Sequence, residues 1–315
     1  MPNRPLSPSL AAPTVLLYAA GYPIGSATVA VMSPFLVIAL RFALSAALLW
    51  VIVAIRRPVR PTRRQVGHAM IAGLMTQGIQ FLGLYWALDH GVPSGLAALV
   101  IALNPVVTAG LMIVLLGHRE SRRGMVALVL AAAAVVLACA PKIVADHGIG
   151  LGIVAVVVAM VGLSAGGIYQ GRFCADMDVW LVSALGLTAS TPVAAVFAAT
   201  SPEHTTDLPR ALILLATMIV FSSVGATTLY AACIKTSGAR SASIVFAVIP
   251  AAASVMAWIA LGESLSPLTI GGLALGAAAC VLQARSTSDE ATAPAEGDGA
   301  AEHVEPIADE HCLRR

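Results

Sequence analysis

Along this chain the apolar positions neither alternate nor form a narrow helical stripe; they run on for about twenty residues at a time. About 20 apolar residues span a bilayer as a helix. A transmembrane β-barrel would instead show short alternating segments. Ten apolar segments can be drawn, at 12–31, 34–55, 66–88, 93–116, 124–141, 149–170, 179–199, 209–233, 238–261 and 267–284. The loops between them are short and leave no room for a soluble catalytic domain. The expected fold is an all-α polytopic membrane protein with ten transmembrane helices. Residues 1–31, with Arg4 ahead of an apolar run, have the outline of a signal peptide. The run is too long for one, however, starts with little positive charge, and has a counterpart later in the chain.

That counterpart belongs to an internal repeat. A shift of 145 residues aligns the two halves without a gap: Ala20-Gly21 falls on Ala165-Gly166, and MSPFLVIAL (32–40) on MDVWLVSAL (177–185). Tyr85, Pro105, Leu116-Gly117 and Ser121 fall on Tyr230, Pro250, Leu261-Gly262 and Ser266. Five helices per half is an odd number, so the second half enters the membrane from the opposite side. Such inverted repeats, with a site at their interface, recur in secondary transporters. The chain divides into an N-terminus (1–11), a first repeat (12–141), a second repeat (149–285) and a tail (286–315).

Composition supports this reading: 58% of residues are hydrophobic and 11% charged, against roughly 25% charged in a soluble domain. With the N-terminus in the cytoplasm, the inner loops and termini carry fifteen Lys and Arg and the outer loops only Lys142 and Arg210. This bias places both termini in the cytoplasm and the protein in the cytoplasmic membrane. The net charge of +2 conceals a tail with eight acids, rich in Ala, Pro and Gly, that reads as disordered. Five scattered cysteines suggest neither a disulfide framework nor a metal site. His303, His311 and Cys312 sit in the solvated tail. The basic loop RRPVRPTRR (56–64) anchors topology and can touch anionic lipid; no nucleic-acid partner is expected.

The chain resembles the ten-helix EamA-type members of the drug/metabolite transporter superfamily. The resemblance covers about residues 14–285. It rests on Arg41 in LVIALRFALSAALL, the run Tyr85-Trp86-Ala87-Leu88, Pro105, and LGHRES (116–121) echoed by LGESLS (261–266). It departs from that pattern at YPIGS (22–26), where relatives often carry Trp-Gly, and at His118, which stands opposite Glu263. The resemblance implies export of amino acids, related metabolites or drugs.

Arg41 is the one basic residue deep in a span. An intramembrane charge costs about 2.5–3.5 kcal/mol on insertion scales, so it is paired or lines water. Seven residues into the second segment, it lies about 10 Å from the outer end. Either it attracts an anionic substrate group, or it is structural, snorkelling outward or paired with Asp89 or Glu263. Gln77 and Gln80 share a face of the third segment with Leu84, as do Ser223, Thr227 and Tyr230 in the eighth. Asn104 and Thr108 flank Pro105, and the first segment carries Tyr18 and Tyr22. These polar stripes either line a central cavity or hold the bundle together. Their presence in equivalent helices of both halves favours the cavity. Pro105 and Pro250 would interrupt equivalent helices, a pointer to a transporter site. Gly-x-x-x-Gly pairs such as Gly21/Gly25 and Gly162/Gly166 read as close packing.

The expected function is alternating-access transport of a small-molecule substrate, outward, without a cofactor. Asp89 and Glu263 are the candidate coupling carboxylates, and uncoupled facilitation is open. Import is the alternative direction. A second alternative, an intramembrane serine hydrolase, rests on Gly162-Leu163-Ser164-Ala165-Gly166. A nucleophile elbow, however, needs a strand-to-helix turn. Neither H-E-x-x-H nor a Walker A motif occurs. Whether the chain pairs with a second copy is left open.

Overall fold

A computed structural model describes residues 7–117 except 93, residues 149–243 except 203, and scattered positions between 122 and 133 and between 245 and 282. The secondary structure of the described residues is helical apart from one antiparallel bridge between Met32 and Thr205. In chain order the helices are α1 (Pro8–Val29), α2 (Pro34–Arg56), α3, α4, α5 (Ile149–Phe173), α6 (Val179–Thr200) and α7. Helix α3 has three parts, Arg63–Gly73, a π-helical stretch Leu74–Ile79, and Gln80–Asp89. Helix α4 has two, Ser94–Ala102 and Asn104–Leu116. Helix α7 runs through Leu208–Thr217, a π-helical stretch Met218–Ala226, and Thr227–Ser243. Among the described residues four stretches, Pro34–Arg56, Gly150–Phe173, Val179–Thr200 and Leu208–Gly238, are long and apolar enough to cross a bilayer.

Local chemistry sets the helix ends. Proline near the start of α2 needs no partner for its missing N–H. Thr62 and Gln65 form a reciprocal capping box ahead of α3. The carboxylates of Asp178 and Asp207 accept from the first-turn amides of α6 and α7. Leu103 departs from helical geometry (φ −77°, ψ 3°), and the second part of α4 begins with Pro105 in its first turn. Pro105 therefore stands in the first turn of a helix that restarts after the break at Leu103. Gly238, at φ 79° and ψ 161°, interrupts the helix that continues α7. Pro250 and the ends of both repeats lie outside the described residues.

Neither π stretch was expected from the hydrophobic pattern. The 145-residue shift carries Leu74–Ile79 onto 219–224, inside Met218–Ala226. The two stretches therefore sit at equivalent places, and such interruptions are often found at functional sites. The halves interleave: α2 packs along α6, α3 against α5 and α6, and α1 against α7. The tightest crossing joins Gly73 of α3 to Gly186 of α6. A Cβ added at Gly73 would lie 1.9 Å from the Gly186 Cα, so the backbones themselves are in contact.

Candidate functional site

At the crossing of α2 with the π stretch of α7, Arg41 is 1% exposed. Its Nε donates to Ser223 Oγ, and an outer guanidinium nitrogen donates to Ser222 Oγ at 2.9 Å. The guanidinium carbon stands 4.2 Å from the centroid of the Phe81 ring, whose π face favours a cation. Tyr85 and Tyr18 lie beside it. Every one of these groups is neutral. The pairing with Asp89 allowed by the sequence is absent. Asp89 ends α3 with its side chain 41% exposed, 3.9 Å from His90 Nδ1. Glu263 lies outside the described residues.

Next to this cluster is a cavity of about 20 Å³, room for roughly one water. Tyr18, Thr76, Gln77, Ser183, Thr227 and Tyr230 supply its polar wall, from both halves of the chain. Tyr18 and Tyr230 meet edge to face, with ring centroids 6.1 Å apart. The Oε1 of Gln77 has no hydrogen-bond partner among the described residues.

The structure divides the expected stripes. Gln77 lines the cavity, but Gln80 does not, although it too is buried with Oε1 unpaired among the described residues. The i, i+3, i+7 reasoning assumed an unbroken α-helix, and the π stretch offsets that register. In α7, Thr227 and Tyr230 reach the cavity while Ser223 turns to Arg41. Tyr22 is partly buried against the core and is not in the cavity wall. Asn104 Oδ1 accepts from Ser164 at 2.5 Å and from Thr108 at 3.2 Å. The Ser164 hydroxyl thus donates to an amide oxygen, which is not a general base.

Ser222, Phe81 and Tyr85 were not singled out as site residues. Two consecutive serines of the π stretch meet one guanidinium. Tyr85 did carry a signal, as the repeat counterpart of Tyr230.

Contacts between the halves tie both ends of the bundle. At one end Ser33 N–H donates to His204 O and Thr206 N–H to Val31 O, each at 2.9 Å. At the other, His68 Nδ1 lies 2.7 Å from Tyr169 Oη, and its ring stacks 4.6 Å from Phe173.

The model of the EamA-like transporter family matches the chain twice, over residues 8–140 and 150–284. The chain belongs to the EamA-like transporter family. EamA membership makes it a multi-pass membrane transporter of the drug/metabolite type. A solved structure, described only as a crystal structure of a protein, superposes with a TM-score of 0.66 at 18% identity, covering 90% of this chain and 97% of that chain. At that identity the likeness concerns the fold alone. No curated protein matches the chain.

Proposed function

We propose that this EamA protein is a ten-helix carrier of two inverted five-helix halves that exports a small metabolite bearing an anionic group across the cytoplasmic membrane. Both termini face the cytoplasm. Arg41 anchors the anionic group. The observation that carries this reading is a buried guanidinium at the contact between the halves, held among the described residues only by hydroxyls and aromatic faces. A buried charge without a counter-charge is expensive, and a carboxylate or similar anion would supply the missing partner through paired hydrogen bonds.

The cavity beside Arg41 is too small for a metabolite, so binding requires the halves to separate at one end. Opening would break the backbone bonds between residues 31–33 and 204–206, or the stack of His68 on Phe173. Alternation between those two events is the transport cycle. Efflux and uptake of a panel of amino acids, organic acids and uncharged analogues, compared in cells with and without the protein, test the reading. Gradient-driven movement of anionic or zwitterionic compounds supports it. Movement of uncharged compounds alone would sink the anionic assignment.

A further inference from the structure

A groove lies away from Arg41, where the far end of α2 meets the start of α6. It has a volume of about 620 Å³, within the roughly 300–1,000 Å³ of small-molecule sites. Trp50 of α2 and Leu181 and Leu185 of α6 form an apolar wall. Arg57 and Arg60 form the rim. The local backbone explains why the arginines stand there. Arg57 caps α2 in the left-handed region (φ 46°), its N–H donating to Val53 O. The chain therefore doubles back over the helix end, and Pro58 and Pro61 stiffen the return. Val59 at the tip is 93% exposed.

We infer that this groove binds an anionic phospholipid, its phosphate on Arg57 and Arg60 and an acyl chain along Trp50, Leu181 and Leu185. Charge complementarity selects the occupant. No Asp or Glu occurs in residues 1–88, and among the described residues neither arginine is in an ion pair. Guanidinium groups bind phosphate oxygens in pairs. A tryptophan beside basic residues at a span end is the pattern of a membrane interface. A soluble anion would make no use of the apolar wall. The cytoplasmic leaflet follows from the orientation proposed above; the preference for anionic lipid does not depend on it.

The test uses full-length protein in nanodiscs, with Trp86, Trp180 and Trp258 replaced by Phe so that fluorescence reports Trp50. If that background does not fold, native mass spectrometry of the unsubstituted protein counts retained lipids instead. Brominated phosphatidylglycerol should quench Trp50, or be retained, with about ten-fold higher apparent affinity than the phosphatidylcholine equivalent. Arg57→Gln with Arg60→Gln should bring the two lipids near parity. Arg63→Gln with Arg64→Gln, an equal change in charge just beyond the groove, should leave the preference intact. Parity in the protein with all its arginines, or equal losses in both double variants, would overturn the site. So would competition by glycerol phosphate, which would mark a soluble anion. A preference that emerges only after truncation at Ser286 would make the acidic tail the occupant and overturn the proposal as well. None of these readouts depends on transport, so failure of the transport reading leaves them interpretable.

Discussion

At Arg41 the neutral surroundings decide what substitution should do. Arg41→Gln removes a charge without stranding a carboxylate among the described residues, so expression and thermal stability should hold. Affinity for an anionic substrate should fall roughly ten- to a hundred-fold, the worth of a charged hydrogen bond. Arg41→Lys should keep part of the affinity, since the charge remains and the planar fork is lost. Thermal melts and binding isotherms for both variants check this. Loss of expression in Arg41→Gln, rescued by Glu263→Gln, would make the arginine structural. The sequence marked Arg41 because a lone cation in an apolar run is conspicuous. Its partners were not legible, because Ser222 and Ser223 meet it through a backbone register that periodicity does not encode. Asp89 looked like a partner on sequence because helix depth alone does not say which way a terminal side chain turns.

The elements carry the repeat further than the residues do. Gly186 is the repeat counterpart of Arg41, and each sits where its helix crosses a π-containing helix of the other half. One crossing is backbone on backbone at Gly73, while the other has a guanidinium buried in it. Gly73→Val should therefore misfold or fail to reach the membrane, because a Cβ there has nowhere to go. Gly67→Ala on the same helix meets nothing within 4 Å and should be silent. Membrane yield and melting temperature separate the two. The described helices were readable from apolar run length. The π stretches were not, because LMTQGI and MIVFSSVGA lie within unbroken apolar runs and the hydrogen-bond register is not written in composition.

For the whole molecule, orientation is the claim most open to test. With Cys139 and Cys312 replaced by serine, Ser201→Cys should react with an impermeant maleimide in intact cells. Val59→Cys should react only after permeabilisation. The reverse order would refute the proposed topology. Cys174, in the turn after α5, adds little background: burial pushes its thiol up to about 11, so at neutral pH it is protonated and unreactive. Truncation after Ser286 should leave transport intact, since residues 287–315 are acidic and lack an apolar face. Complete loss with normal insertion would point instead to a partner acting through the tail.

The buried guanidinium has a consequence for the resting protein. Any file of water that crossed between the halves would have to pass a fixed positive charge in a low-dielectric surround, the arrangement that keeps protons and metal cations out of neutral-solute pores. An idle carrier so equipped should exclude protons and metal cations and so should not discharge the membrane potential. Proteoliposomes holding Arg41→Gln should therefore dissipate an imposed proton gradient faster than those holding the arginine, with no substrate present at all.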